Sequence, residues 1–229
     1  PDGLTLHLVW EERVSAVAGM VRYMSGTLDG GTVSWSPAIT LSTGITLSLY
    51  PAIVVDADGN LHVAWGEAIG TGYPYERDQY VRYARFDVAS GVWTPGVRID
   101  PFLVMVNEKY PTFLAPDIAV QQQGDQMMVC ISWHGFRDTG GVEEVLLSCS
   151  EDGGQSWAAA RNVSRSPGLV ESETDISIYP SIAFDGQHRR LHVVWEEHNG
   201  STVGSPIVNI YYAYSLDQQV FLPLVLRNW

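Results

Sequence analysis

A unit that ends in a tryptophan recurs along the chain and limits the possible folds more than any other feature. YPAIVVDADGNLHVAWGE at 50–67 returns as YPSIAFDGQHRRLHVVWEE at 179–197, and more loosely as APDIAVQQQGDQMMVCISWHG at 115–135. The first residues, LTLHLVWEE at 4–12, match the second half of the same unit. Self-similarity of this kind predicts supersecondary units that pack against one another.

Each unit consists of short runs typical of β-strands. The runs are rich in Val, Ile, Tyr and Trp and are separated by Gly, Asp and Pro, whereas no long stretch has helical periodicity. The second run of each unit contains an anchor tryptophan: Trp10, Trp65, Trp133 or Trp195. A third and a fourth run follow. We therefore predict an all-β fold, a β-propeller of four-stranded antiparallel blades. The units are approximately 1–48, 49–100, 101–165 and 166–229, and the first lacks its innermost strand.

The turn SCSEDGGQSW at 148–157 has the pattern S-x-D-x-G-x-x-W, formed by Ser150, Asp152, Gly154 and Trp157. It resembles the Asp-box, or bacterial neuraminidase repeat, of the sialidase superfamily. The first unit matches the polar half of this pattern at Thr27, Asp29 and Gly31. We interpret the box as structural. Asp152 would accept backbone N–H groups, Gly154 would adopt a conformation closed to other residues, and Trp157 would be buried beneath its blade.

The resemblance implies that the box lies on the face opposite an active site. The loops between second and third strands would then gather on the other face, where binding usually resides. We select as ligand-binding candidates Glu67, Tyr75, His134, Arg137 and Glu196. Such side chains suit hydrogen bonding to sugar hydroxyls, although acidic loops also favour solubility, so both interpretations stay open. As exposed loop positions, they are expected to contribute little to stability.

The resemblance does not transfer a catalytic site. Sialidases bind the substrate carboxylate with three arginines and use a tyrosine paired with a glutamate as nucleophile, but no F/Y-R-I-P motif occurs here. Arg22, Arg82 and Arg85 lie within third strands, where we expect them to cover blade edges. We therefore predict a secreted or cell-surface bacterial module that binds a glycan or a surface protein. One alternative is the C-terminal part of an exo-sialidase whose missing blades carry the arginine triad. Another is a structural cell-surface repeat.

Three histidines occupy the same place in their units, three residues before the anchor tryptophan: His7, His62 and His192. Propeller symmetry would distribute them over separate blades, so we predict structural roles, no metal site and no cofactor. Cys130 takes this place in the third unit. Cys130 and Cys149 lie in neighbouring strands, and both a disulfide and two buried thiols remain open.

Charge and length constrain the partners. The 229 residues include 13 Lys and Arg against 26 Asp and Glu, a formal net charge of −13. This balance disfavours nucleic acid and anionic membrane surfaces, and no apolar run suggests a membrane span. Four units with an incomplete first one lead us to expect a truncated N-terminus. Open sheet edges are expected to favour self-association.

Overall fold

The computed structural model of the chain describes residues 4–15, 18–42, 47–69, 78–99, 114–135, 143–164, 176–186, 190–199, 207–216 and 220–226. Within these ranges every regular element is a β-strand. The same ranges contain no helix that is long and apolar enough to cross a membrane.

The strands form sheets of nine, four and four strands, and we describe the nine-stranded sheet as two blades, which gives four in the described chain. Blade 1 contains β1 (Leu4–Ser15), β2 (Ala18–Asp29), β3 (Thr32–Trp35) and β4 (Ile39–Thr40). Blade 2 contains β5 (Leu47–Val55), β6 (Leu61–Ile69), β7 (Asp78–Asp87), β8 (Val92–Trp93) and β9 (Val97–Arg98). Blade 3 contains β10 (Asp117–Gln123), β11 (Gln126–Gly135), β12 (Glu144–Ser150) and β13 (Arg161–Asn162). Blade 4 contains β14 (Ile176–Phe184), β15 (Leu191–Asn199), β16 (Ile207–Leu216) and β17 (Val220–Leu226).

Strand pairing confirms the predicted all-β, antiparallel architecture. Within every blade, neighbouring strands pair antiparallel. In blades 1 and 2 the outermost strand is interrupted, and both of its pieces pair with the same third strand. A single parallel bridge between Gly19 and Leu47 joins these two blades into one sheet. The first blade begins with the strand that carries Trp10, and no inner strand pairs with it among the described residues.

The anchor tryptophans occupy equivalent positions. Each pairs with a third-strand residue that directly follows a valine or isoleucine: Trp10 with Arg22, Trp65 with Arg82, Trp133 with Leu146, and Trp195 with Tyr211. Trp65, Trp133 and Trp195 are almost completely buried, whereas Trp10 is only partly buried. The repeat assigned from the sequence is therefore the repeat of the structure.

The blades stack in chain order, and every interface has the same polarity. We call the face that carries the anchor tryptophan the anchor face of a blade, and the other the opposite face. Each shared core joins an anchor tryptophan to the opposite face of the preceding blade: Trp65 to Val21, Trp133 to Tyr83, and Trp195 to Leu147. Burial of these large side chains is the main favourable contribution at each interface.

A second contact between blades involves the tryptophan that follows the turn between third and fourth strands. We call Trp35, Trp93 and Trp157 the closing tryptophans, because the next residue of each donates an equivalent backbone hydrogen bond to the third strand. Trp93 packs edge-on against Tyr23 of blade 1, and Trp157 packs edge-on against Tyr83 of blade 2; in both pairs the ring centroids are 5.0 Å apart. The same tyrosine–tryptophan contact therefore recurs at two interfaces.

Each of the three repeated histidines contacts a tyrosine in the next strand of its own blade. The distances from Nδ1 to the tyrosine Oη are 2.8 Å for His7 and Tyr23, 2.7 Å for His62 and Tyr83, and 2.5 Å for His192 and Tyr212. In blade 3 the equivalent Cys130 lies directly opposite Cys149, and the two form a disulfide. Of the two states left open by the sequence, the structure contains the bridge.

The turn after β12 has the hydrogen bonds expected of Ser150, Asp152 and Gly154. The Asp152 carboxylate accepts the backbone N–H groups of Gln155 at 2.9 Å and Ser156 at 2.8 Å, and Ser150 Oγ accepts the Gly154 N–H at 2.8 Å. Gly154 has a φ of 93°, which L side chains rarely adopt.

Two details of the box differ from the prediction. Trp157 is half-buried and packs against Tyr83 of the preceding blade, and so it does not lie beneath its own blade. In blade 1, Thr27 and Asp29 belong to the ladder of β2, opposite Ser34 and Thr32. The connecting turn there is shortened to Gly30 and Gly31, so it differs in shape from the turn of blade 3.

Acidification is expected to weaken the blade 3 turn. Burial alone would raise the pKa of Asp152, but hydrogen bonds from Ser156, Ser150 and Gln155 outweigh it and lower the pKa to about 2. Because an unfolded aspartate titrates near pH 3.9, this carboxylate stabilises the fold fully above about pH 4, and the stabilisation is lost as the pH falls toward 2.

Thermal unfolding measured across this pH range checks the prediction. Asp152→Asn should lower the melting temperature at pH 7. Between pH 4 and pH 2 the melting temperature of this variant should fall less than that of the wild type, because the variant has no carboxylate to protonate there. An unchanged decline would show that Asp152 does not stabilise the turn through its charge.

Candidate functional site

Two tyrosines of the inner strands have strained backbones and exposed side chains. Tyr50 in β5 has a φ of 50° and Tyr179 in β14 a φ of 51°, and they are the only non-glycine residues with positive φ in the described part of the chain. Their side chains are 45% and 54% exposed. A bulky residue in this conformation costs roughly 1–3 kcal/mol, and such strain is concentrated at functional sites.

The local cause of this conformation is an irregularity in each inner strand. The register of β5 shifts between Leu49 and Ala52, and that of β14 shifts between Ile178 and Ser181. In both strands a proline follows the tyrosine, and proline cannot donate a hydrogen bond to the ladder. Bulges of this type redirect a side chain. Here the two bulges take the side chains of Tyr50 and Tyr179 out of the regular alternation between the two faces of the sheet.

Tyr50 lies within electrostatic range of three other polar groups. The pKa of Tyr50 is raised by burial first, then by the charge of Glu11 and by Tyr179, while Arg13 acts in the opposite direction. Arg13 Nε in turn donates a hydrogen bond to the Glu11 carboxylate. The phenol of Tyr50 consequently keeps its proton at neutral pH and can donate a hydrogen bond. Blades 1, 2 and 4 all contribute to this cluster.

His134 of blade 3 contacts Tyr179 of blade 4. The two rings meet edge-on with centroids 5.5 Å apart, and the Tyr179 backbone N–H points to His134 Nδ1 at 3.4 Å. We call Glu11, Arg13, Tyr50, His134 and Tyr179 the tyrosine rim. It lies at the end of the blades where second strands finish, whereas the turn at Asp152 follows the end of a third strand. Since these strands run antiparallel, the rim and this turn lie at opposite ends of the blades.

A positional rule explains the composition of the rim. The residue after each anchor tryptophan is Glu11, Gly66, His134 or Glu196. A residue at this position lies on the opposite face of its blade, which packs against the next blade where one follows in the described chain. A Cβ at Gly66 would lie only 2.5 Å from the Leu114 carbonyl oxygen, so the segment that leads into the inner strand of blade 3 approaches too closely for any other residue. Where larger residues occupy the position, they meet the tyrosine of the next blade.

Glu67 and His134 are not the exposed loop residues that the sequence suggested. They lie in β6 and β11 and are only 2% and 1% exposed, so the prediction that they contribute little to the fold is wrong. Arg82 Nε donates a hydrogen bond to the Glu67 carboxylate at 2.6 Å. In blade 1 the equivalent Glu12 and Arg22 form the same ion pair at 3.2 Å. These are structural ion pairs within a blade.

Of the other three predicted site residues, only Glu196 lies within the described part of the chain. Glu196 is half-buried on the opposite face of blade 4, away from any following blade. Tyr75 and Arg137 lie outside the described residues. The sequence analysis did not select Tyr50, Tyr179, Glu11 or Arg13. The signal available for the tyrosines was the dipeptide Tyr-Pro at the start of two repeats, which places an aromatic residue before a strand irregularity.

A shallow concavity borders the rim between blades 2 and 3. It is lined by Leu49, Gly66, Glu67, Ala68, Gln79 and Leu114. Gln79 Oε1 accepts the Leu114 N–H at 3.4 Å, and the buried Gln79 Nε2 has no acceptor within the described ranges. Since Gln79 is only 2% exposed, this amide is a buried donor that a ligand from solvent does not reach.

One carboxyl group near the rim carries a proton at neutral pH. Glu143 precedes β12 and is buried, and burial raises its pKa to about 8. Its carbonyl oxygen accepts the N–H of Ser177, two residues before Tyr179, at 2.8 Å. A protonated carboxyl group is a proton donor, which is the property required of a general acid.

The described arginines do not converge on one point. Arg22, Arg82 and Arg85 pair with Glu12, Glu67 and Asp87 of their own blades, and only Arg13 belongs to the rim. The described ranges also contain no group of three His, Cys, Asp or Glu side chains that could hold a metal ion.

No family model matches the sequence, and no curated protein matches it either. The structure, however, is similar to several solved ones. An α-L-arabinanase of Penicillium chrysogenum, solved with arabinobiose, matches with a TM-score of 0.61 at 11% identity, over 99% of this chain and 72% of that protein. A GH93 α-L-arabinofuranosidase of Fusarium graminearum, also solved with arabinobiose, matches with a TM-score of 0.58 at 11% identity, over 98% and 66%.

A Hadza microbial sialidase matches with a TM-score of 0.52 at 10% identity, over 93% of this chain and 45% of the sialidase. The fold is a β-propeller. The chain therefore spans less than half of this sialidase and about two thirds of the arabinofuranosidase. At this level of identity, the similarity to these enzymes establishes the fold alone.

Proposed function

We propose that this propeller binds a carbohydrate at the tyrosine rim. The observation that carries the proposal is the pair of exposed tyrosines, Tyr50 and Tyr179, held in strained conformations by bulged inner strands. Strain that the fold maintains at two equivalent positions is accounted for if the side chains are used. Solved propellers of similar fold contain arabinobiose, which supports a sugar as the ligand class.

The rim offers both kinds of contact that sugar binding requires. Aromatic side chains combine a large apolar surface with a polar tip, and two phenol rings provide surfaces against which the C–H face of a sugar ring can pack. Glu11 accepts hydrogen bonds from hydroxyl groups, while Arg13 donates them. Because Arg13 already pairs with Glu11, the local charge is balanced, and this favours a neutral sugar over an acidic one.

Titration of the chain with arabinobiose and with sialyllactose, monitored by NMR, tests the proposal. We expect arabinobiose to shift signals of the rim, and Tyr50→Ala and Tyr179→Ala each to weaken its binding by about three- to tenfold, since an aromatic contact contributes roughly 0.5–1.5 kcal/mol. Trp35→Ala, which removes an exposed aromatic residue of blade 1 far from the rim, should leave this binding unchanged.

Equal weakening by Trp35→Ala would show that the sugar contacts any exposed aromatic residue, and the rim would lose its special role. Preference for sialyllactose, abolished by Arg13→Ala, would instead support the sialidase-like alternative, in which further blades supply the rest of an arginine triad. Absence of binding to either sugar at millimolar concentration would favour a structural repeat.

A glycoside hydrolase is the second candidate, because solved propellers of similar fold include an arabinanase and an arabinofuranosidase, and Glu143 is the residue to test as its general acid. Its pKa of about 8 matches the requirement for an acid that is still protonated at the working pH. Turnover of an aryl arabinoside or aryl sialoside that is lost in Glu143→Gln, while binding persists, would establish hydrolysis. Binding without turnover in the wild type supports the binding module.

We also propose an extracytoplasmic location and an Asp-box identity for the blade 3 turn. The Cys130–Cys149 disulfide supports the first, because such bonds persist mainly in oxidising compartments. The hydrogen bonds of Asp152 and Ser150 and the conformation of Gly154 support the second. Both are consistent with a carbohydrate-directed propeller.

A further inference from the structure

The inner strand of blade 4, β14, receives hydrogen-bond acceptors from blade 3 along its outer edge. An edge strand has a row of backbone N–H groups without partners in its own sheet. Three N–H groups of β14 point to acceptors of blade 3: Ser177 to the Glu143 carbonyl oxygen at 2.8 Å, Tyr179 to His134 Nδ1 at 3.4 Å, and Ile182 to Asp117 Oδ2 at 2.9 Å. Blade 3 therefore fixes the course of this strand.

The Asp117 carboxylate makes two of the contacts between the inner strands. Its Oδ2 accepts hydrogen bonds from Ser181 Oγ at 2.8 Å and from the Ile182 N–H at 2.9 Å. Its Oδ1 accepts the Ile118 N–H of its own strand at 2.9 Å, which fixes the orientation of the carboxylate. Hydrogen bonds to a carboxylate are stronger than those between neutral groups, so Asp117 holds β14 directly after the Tyr179–Pro180 pair.

The bulge of β14 needs such a restraint. Its register shift places two residues, Tyr179 and Pro180, opposite the single residue Trp195. The proline ring fixes its own φ, so the bend that absorbs the extra residue falls on Tyr179, whose φ is 51°. Ser177 before the bulge and Ile182 after it are both bonded to blade 3. The strand therefore cannot relieve the bend by sliding along its partner.

The interface between blades 2 and 3 lacks this carboxylate. Asp117 is the second residue after Ala115, and the residue in the same place after Tyr50 is Ala52, which cannot accept a hydrogen bond from the next inner strand. That next strand, β10, pairs in regular register, and its Ala115 has no positive φ. No inner strand of blade 1 lies in the described ranges, so Tyr50 offers no such comparison. The inner strand that faces an aspartate is strained, and the one that faces an alanine is not.

We propose that Asp117 is a positioning residue of the tyrosine rim. Its carboxylate, on blade 3, holds the bulge of blade 4 and so keeps Tyr179 in the conformation that exposes its ring. Asp117 acts on a sugar through Tyr179, because a side chain that is already ordered in the free protein loses less conformational entropy on binding. The effect on sugar affinity rests on the proposed function, whereas the effect on the Tyr179 backbone does not.

NMR of the ligand-free protein tests the effect on the backbone. A residue with positive φ has its amide and α protons close together and gives a strong cross-peak between them. Asp117→Ala should weaken this cross-peak at Tyr179 and leave that of Tyr50 unchanged. Asp117→Asn should retain it, because the amide oxygen can still accept the Ile182 N–H. Gln121→Ala is the matched control, since it removes another hydrogen bond from β10 to blade 4, at the Asp185 carbonyl, four residues farther along β10.

Titration with arabinobiose tests the effect on the site. Asp117→Ala should weaken binding by about three- to tenfold, as Tyr179→Ala does. In a Tyr179→Ala background Asp117→Ala should have no further effect, whereas in a Tyr50→Ala background its effect should persist in full. A residue that only supports the fold would weaken binding in both backgrounds, so this cycle separates positioning from general stabilisation.

An unchanged Tyr179 cross-peak in Asp117→Ala overturns the positioning role, even if arabinobiose binds to the wild type. Losses of affinity that add up in Asp117→Ala with Tyr179→Ala overturn it as well. If the wild type binds no arabinobiose, the proposed function fails, and the cross-peak alone decides the role of Asp117. Should Asp117→Ala unfold, Ser181→Ala takes its place: it removes one of the two hydrogen bonds at an exposed position and should weaken the cross-peak in the same direction, and no change there would contradict the proposal.

Discussion

Trp133→Ala is expected to lower the free energy of unfolding by about 3–5 kcal/mol, the usual cost of removing a fully buried aromatic side chain. Trp133 is completely buried where blade 3 packs on blade 2. The cavity would lie between two sheets that are also fixed by their own strand ladders, so the surroundings can collapse into it only partly. Equilibrium unfolding in urea, at a protein concentration where the chain is monomeric, measures the loss.

Trp10→Ala is the matched control, because Trp10 has the same place in the repeat but faces no preceding blade. It is only partly buried, and its replacement should cost no more than about 2 kcal/mol. Equal losses at both positions would contradict the stacking of each anchor face on the preceding blade, since Trp10 lacks that interface among the described residues.

Gly154→Ala is expected to destabilise the protein by about 3–5 kcal/mol through two separate effects. The φ of 93° strains an L side chain, at a cost of roughly 1–3 kcal/mol. The new Cβ would also approach Tyr83 Oη to 2.2 Å, so the Tyr83 ring would have to move. That movement would disturb its hydrogen bonds to His62 at 2.7 Å and to the Gly153 carbonyl at 3.2 Å.

Gly31→Ala separates these effects, because Gly31 has a φ of 84° and open space where a Cβ would lie. It should cost only the backbone strain, about 1–3 kcal/mol. In a Tyr83→Ala background, Gly154→Ala should likewise cost only the strain, and a double-mutant cycle by urea unfolding gives the coupling energy. Additive losses would show that Tyr83 does not fill the space beside Gly154.

The sequence was sufficient to predict the blades because the relevant signals are local. Alternation of apolar residues around Trp65 and Trp195 identifies strands, and Gly and Asp between them identify turns. The position of Glu67 was misjudged for the opposite reason. Strand β6 continues four residues beyond Trp65, to Ile69. The partner of the carboxylate, Arg82, lies on another strand whose register cannot be read from the sequence around Glu67.

The rim was missed because its residues are brought together by contacts between blades. The unusual conformation of Tyr50 arises from a register shift in β5, and its neighbours Glu11 and Tyr179 belong to blades 1 and 4. For the same reason, Trp157 was expected beneath its own blade, whereas its partner Tyr83 belongs to blade 2. His134 was expected in an exposed loop, whereas it lies buried in β11 against Tyr179.

The rim takes its residues from four separate blades, so it persists only while those blades stay packed on one another. Local opening of one sheet costs less free energy than global unfolding, and the departure of any one blade would remove part of the rim. Blade 3 carries a disulfide of its own, between Cys130 and Cys149, which limits its opening. A ligand that bridges residues of the rim would therefore also hold the blades to one another.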